Sequence, residues 1–245
     1  MGEGFFLPMQ HNFSVSISII TSEVISPVKE KEGAIFSIAR DNEPAEGCTV
    51  SRSVYEAQNF GITYFSMSHD TDISPEIFPF RKIILTVSGR LTVSISGHEV
   101  TAGEGGLIII PENIPAGMKT STGCVYAEFS LREGINLNKS LKEGEIFSLP
   151  ELVPYQAGRV VNMDIIRDSK LKFAVMAFDE GTGLSEHSAP GEALIFALDG
   201  EGIIGYEGRE YTIKAGENFK FAKNGRHYVK SPGKFKMAIL LAMED

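Results

Sequence analysis

Lys31-Glu32-Gly33-Ala34-Ile35-Phe36-Ser37 recurs as Lys142-Glu143-Gly144-Glu145-Ile146-Phe147-Ser148, an offset of 111 residues. The same offset pairs Gly47 with Gly158, Gly89 with Gly200, Gly97 with Gly208 and Gly105 with Gly216. It also pairs Pro79 with Pro190, Glu99 with Glu210, Thr101 with Thr212, Asn113 with Asn224 and Lys119 with Lys230. About 20 of the 100 aligned positions in 31–130 and 142–241 are identical without a gap. Roughly 6 would coincide by chance at ordinary amino-acid usage. Likeness of composition alone would not hold one register over that length. Repeated glycines mark turns that need positive φ, so the strands between those turns recur as well.

Each copy reads as strands. Ile83 to Val87 runs into Ser88-Gly89, Leu91-Thr92-Val93-Ser94-Ile95 alternates apolar and polar, and Ser96-Gly97 follows. The second copy gives Leu194 to Leu198, Asp199-Gly200, Ile203 to Tyr206 and Glu207-Gly208. Such dipeptides between alternating runs are hairpin signals. Strand follows strand with no room for a crossover helix, so the sheets are expected to be antiparallel and to form a sandwich or barrel. The chain divides into an arm at 1–30, a first unit at 31–130, a polar connector at 131–141 and a second unit at 142–245. Within the arm, Phe13-Ser14-Val15-Ser16-Ile17-Ser18-Ile19 alternates as one extra half-buried strand would.

Composition narrows the partners. Apolar residues make up 42% of the 245 and charged residues 22%, as in a soluble globular chain. The 23 Lys and Arg against 32 Asp and Glu give a net charge of −9, which offers phosphate backbones no basic face, so no nucleic acid is expected. The longest apolar runs, such as Gly106 to Ile110, are far short of the ~20 residues of a membrane span, so no membrane is expected either. Met1 to Gln10 has no secretory character. Two cysteines, Cys48 and Cys124, align with Arg159 and Phe235 and read as reduced thiols in a cytoplasmic protein.

The second copy contains Glu186-His187-Ser188-Ala189-Pro190-Gly191-Glu192-Ala193-Leu194-Ile195-Phe196-Ala197-Leu198-Asp199-Gly200. It continues with Lys214-Ala215-Gly216-Glu217 and Asn224-Gly225-Arg226-His227. This resembles the cupin family, over roughly residues 31–245. The resemblance implies an all-β fold of two tandem antiparallel jelly-roll (double-stranded β-helix) barrels, a bicupin.

In metal-binding cupins three histidines and a glutamate hold one divalent metal at the barrel mouth, a donor set that suits transition metals. Carried over position by position, the first and last histidines are His187 and His227, while Ala189 and Ala193 stand at the second histidine and the glutamate. In the first copy the four positions are Glu76, Phe78, Lys82 and Ala116; an ammonium in the place of a carboxylate would repel a cation. No cofactor is therefore certain, and the candidate is one divalent transition metal in the C-terminal barrel.

Three readings of His187 and His227 stand side by side. One is a hydrogen-bonded pair without metal. Another is a metal held by both, with Glu186 or Glu192 and waters. The third is an acid–base pair, since imidazole titrates in the working range. Met176, Phe178 and Phe196 read as barrel lining, with Met176 and Phe196 taken as pocket residues beside the histidines. Phe78 and Phe80 would make the first mouth apolar, His69 and His98 read as solvated, and His11 lies in the arm. No phosphate loop, paired-cysteine zinc spacing or nucleophile elbow is present.

The leading expectation is a small-molecule-binding bicupin whose ligand, with or without a weakly held metal, sits near His187 and His227. In that reading the first barrel has lost its site. The alternative is a metal-dependent enzyme of dioxygenase, isomerase or sugar-modifying type, and a ligand-sensing module is a third. The expected partner is a small molecule; a homodimer of two such chains is left open.

Overall fold

A computed structural model describes residues 28–132 and 134–243. The arm strand expected at 13–19, and His11, lie outside the described residues. The first half carries β1 (Ile35–Phe36), α1 (Ile38–Asp41), β2 (Thr49–Glu56), β3 (Phe60–Met67), β4 (Thr71–Glu76) and β5 (Arg81–Gly89). It continues with β6 (Leu91–Ile95), β7 (His98–Ala102), β8 (Gly106–Ile110), β9 (Ala116–Thr120) and β10 (Cys124–Leu131). The second half carries β11 (Ile146–Ser148), a 3-10 turn (Leu149–Glu151), β12 (Val160–Arg167), β13 (Leu171–Phe178) and β14 (Gly183–Ser188). After these come β15 (Glu192–Tyr206), β16 (Arg209–Lys214), β17 (Asn218–Phe221), β18 (Arg226–Lys230) and β19 (Phe235–Ala242).

The 111-residue offset carries β2 onto β12, β3 onto β13 and β10 onto β19, end for end. It also carries one hairpin turn onto another. Ser96 and Gly97 have φ of 48° and 84°, and Glu207 and Gly208 have 48° and 76°. Two successive positive-φ residues form the tight turn whose twist matches an antiparallel ribbon, which is why the sequence places Gly second in both.

All pairings between the named strands are antiparallel. The first half has one sheet ordered β11-β8-β5-β10-β3-β2 and a second ordered β4-β9-β6-β7. In the second half the long β15 joins both layers, pairing with β17 and β19 on one side of its bend and with β16 and β18 on the other. The hydrogen bonds do not follow the repeat boundaries of the sequence. β1 pairs with β17 of the second half, and β11, its counterpart, pairs with β8 of the first. Each copy thus lends its opening strand to the other's sheet.

Strand alternation sorts the side chains into three cores. On β10, Val125, Ala127 and Phe129 face a core shared by the two halves, while Cys124 and Tyr126 face the interior of the first. On β15, Leu194 and Phe196 face the shared core, and Ala193, Ile195 and Ala197 face the interior of the second. Phe129 and Phe173 meet across the halves with ring centroids 5.4 Å apart, and Phe196 lies 6.3 Å from each. Burying these rings makes the association of the halves part of the fold rather than a loose tether. Among the described residues no helix is long and apolar enough to cross a membrane.

Candidate functional site

His187 on β14 and His227 on β18 are register partners, and their ring centroids lie 4.4 Å apart. The fold therefore brings together the two histidines that lie 40 residues apart in sequence. His227 is buried and stacks on Phe221, centroids 4.1 Å apart at 15°, whereas His187 is exposed. Each ring fixes one nitrogen on backbone: Nδ1 of His187 is 2.8 Å from the Ser185 carbonyl, and Nδ1 of His227 is 2.8 Å from that of Gly225. Burial holds the His227 imidazole below its ordinary range; the Gly225 hydrogen bond opposes this, and the neighbouring His187 adds to it.

The residues around this pair do not fit a metal. Glu186 is taken by the guanidinium of Arg226. Glu192 is turned away and buried, 2.7 Å from Lys220 Nζ, and accepts the backbone N–H of Val28 at 2.7 Å. The donor set stops at two imidazoles, and among the described residues no group of three or more His, Cys, Asp or Glu could hold a metal ion. Beneath His227 the interior is filled by Phe221, Phe219 and Tyr206. Of the other residues expected there, Met176 packs against this interior, but Phe196 lies on the opposite face of β15 in the shared core and does not meet the histidines.

At the equivalent end of the first half the interior is open. A cavity of about 50 Å³ is lined by Glu76, Phe78, Lys82 and Ala116, the four positions matching the metal-ligand set. The offset explains the space. Ile110 and Ala116 stand where the second half has Phe221 and His227, so two large rings are replaced by smaller side chains. The offset also explains the polarity, because Lys82, Tyr126 and Glu128 replace Ala193, Met237 and Ile239.

These three groups come from adjacent strands, Lys82 from β5 and Tyr126 and Glu128 from β10. Lys82 Nζ lies 2.9 Å from Glu128 Oε1 and 3.4 Å from the centroid of the Phe78 ring, and both charged side chains are buried. Ser130 Oγ donates to Glu128 Oε1 at 3.3 Å. Tyr126 stacks on Phe65, centroids 4.8 Å apart and nearly parallel, and is fully buried. Its Oη has no hydrogen-bond partner among the described residues. Burial first, then the carboxylates of Glu128 and Glu76 and the Cys124 sulfur, push the phenol far above its ordinary range, so it stays a neutral O–H donor. A buried hydroxyl without a partner costs free energy unless something else supplies one.

Neither His187 nor His227 lines this cavity. The signal that marks it is volume and polarity: Ala116 and Ile110 at the emptied positions, and Lys82 and Glu128 inside otherwise apolar strands. His69 and His98 are exposed, and neither lines the cavity.

Residues 174–243 match the family model of the Cupin domain. No functionally curated protein matches the chain in sequence. Among solved structures it is similar to a Cupin 2 conserved barrel domain protein from Leptotrichia buccalis, at 25% identity and a TM-score of 0.80, covering 89% of this chain and 100% of that one. It is also similar to salicylate 1,2-dioxygenase from Pseudoaminobacter salicylatoxidans, at 9% identity and a TM-score of 0.61, covering 89% and 83%. A putative glyoxylate-induced protein from Pseudomonas aeruginosa gives 14% identity and a TM-score of 0.58, covering 80% of each chain. The last two are likenesses of fold alone.

Proposed function

We propose that this chain, whose residues 174–243 match the Cupin domain model and most of which shares the fold of a cupin barrel protein, binds a small molecule in the mouth of its first half. The observation that carries this reading is the unpartnered Tyr126 hydroxyl, fully buried in the wall of a cavity whose other faces are mostly aromatic and aliphatic. A concave, largely apolar site with a few convergent polar groups is what a small-ligand pocket requires. The histidine end of the second half is then a packed terminus of the same fold. Among the described residues, neither donor set fits a divalent metal. The likeness to a dioxygenase carries the fold and not its reaction.

The test is fragment screening by ligand-observed NMR on the intact chain, repeated on the variant Ile110→Phe with Ala116→Phe. That variant rebuilds in the first half the ring-filled interior the second half already tolerates. Fragments that bind the wild type and are lost in the variant support the reading. An identical set for both proteins, or none for either, overturns it.

A further inference from the structure

We infer that the cavity of the first half selects an uncharged carbonyl compound carrying a flat apolar group, such as an aryl ketone, ester or amide, and discriminates against carboxylates and amines of the same shape. This rests on the proposed small-molecule site and gives it a chemical class.

Shape comes first. Phe65, Phe78 and Phe80 line the cavity with Ile73, Ile110 and Met118, so the walls offer ring faces and aliphatic surface. Phe78 and Phe80 have centroids 5.4 Å apart. A flat apolar group buries its area against such walls.

The polar groups decide the rest. Tyr126 brings an O–H whose proton burial retains, and it is without a partner among the described residues. Lys82 brings an ammonium with three N–H donors. One contact is to Glu128 at 2.9 Å, and the Phe78 ring lies 3.4 Å from Nζ. Two donor side chains that share one cavity call for an acceptor on the ligand, and an oxygen is the simplest one that can take both.

Charge then separates a carbonyl from a carboxylate. The lining residues carry one cation, Lys82, and two carboxylates, Glu76 and Glu128. Glu128 already compensates the ammonium, both being buried, and Glu76 adds an exposed negative charge at the rim. An anionic ligand would enter a site of net negative charge and give up its hydration without an unpaired cation to meet. An ammonium ligand would find the ring face at Phe78 held by Lys82 and would place a second cation against it. A neutral carbonyl oxygen offers these donors an acceptor and adds no charge.

Three probes of one size separate the classes: acetophenone, benzoate and benzylammonium, titrated by NMR against the full chain at pH 7. Acetophenone is expected to bind at least about tenfold more tightly than either ion. Tyr126→Phe is expected to weaken it by about tenfold, the effect of one hydrogen bond. The sharper readout is Glu128→Gln, which leaves the shape and frees the charge of Lys82. Relative to acetophenone, benzoate is expected to gain about tenfold there, a shift in selectivity that a merely structural Glu128 would not produce. Tighter binding of either ion by the wild type, with loss in the cavity-filled variant, overturns the carbonyl class and leaves the small-molecule site standing. Failure of all three probes to bind the wild type overturns both.

Discussion

Lys82 and Glu128 form an ion pair inside the first half, Nζ to Oε1 at 2.9 Å, with neither side chain more than 9% exposed. Two buried charges that meet only each other, the Ser130 hydroxyl and the Phe78 ring face depend on each other for solvation. Removing one leaves the other charged and unpaired, which costs about 3–5 kcal/mol, whereas replacing both by apolar groups of similar volume is neutral or stabilising by about 1–4 kcal/mol. Lys82→Met is therefore expected to be strongly destabilising and Lys82→Met with Glu128→Leu close to or above the wild type in urea unfolding. Equal midpoints for the single and the double variant would remove the case for mutual dependence.

The second prediction concerns pH. His227 titrates below its ordinary 6.5 in the folded chain, with burial the main cause. The unfolded chain takes up that proton near 6.5 and the folded chain only at lower pH, so between the two values the unfolded state binds more protons. Stability then rises with pH: the contribution is complete above about 6.5 and is lost as pH falls through the folded value, at no more than about 1.4 kcal/mol per pH unit. Urea midpoints measured from pH 5 to 7.5 are expected to fall on the acid side for the wild type. His227→Phe, which keeps the stack on Phe221, is expected to lose that slope; retention of it would place the titrating group elsewhere.

Much of this fold could be read from glycines. Gly97 and Gly208 recur because each closes a two-residue turn of positive φ, and that local requirement survives divergence of everything around it. The exchange of β1 and β11 between the halves was not legible. A two- or three-residue strand says what it can pair with and not which of two similar sheets it joins, and the turn that follows each strand lies within its own copy. The cavity of the first half is illegible for a different reason. His187 and His227 stand out as ligand-type residues, whereas an open interior depends on volume. Phe221 fills the space below His227, and Ile110 leaves it open at the equivalent end.

Asn218 ties the exchanged strand in place. Its Oδ1 accepts the backbone N–H of Ile38, at the start of α1, at 3.0 Å, and its Nδ2 donates to the Ile195 carbonyl at 3.1 Å. All three residues are buried. Asn218→Ala would leave the buried Ile38 N–H without its partner, at about 1–3 kcal/mol. A loss of that size in denaturant unfolding is expected, with amide exchange at Ile38 faster than in the wild type. Unchanged exchange at Ile38 would show that β1 is held by its ladder with β17 alone.

Gly89 and Gly97 separate two reasons for a glycine. Both have positive φ, 75° and 84°. A Cβ at Gly97 would meet nothing within 4 Å, so Gly97→Ala costs only the left-handed backbone, about 1–2 kcal/mol. At Gly89 the Cβ would fall 2.2 Å from the Gly123 carbonyl oxygen, which belongs to the backbone leading into β10 and has no side-chain freedom to retreat. Gly89→Ala must therefore part the ends of β5 and β10 as well, where Gly89 is paired with Cys124. Its cost is expected to exceed that of Gly97→Ala by about 2 kcal/mol or more, among the large single-residue losses. Gly200 stands in the same relation to the Lys234 carbonyl, at 2.0 Å with φ of 70°, so Gly200→Ala is expected to rank with Gly89→Ala, and Gly208→Ala with Gly97→Ala. Melting temperatures of the four variants give the ranking directly, and an order that follows φ alone, without regard to the opposing carbonyl, would refute the argument.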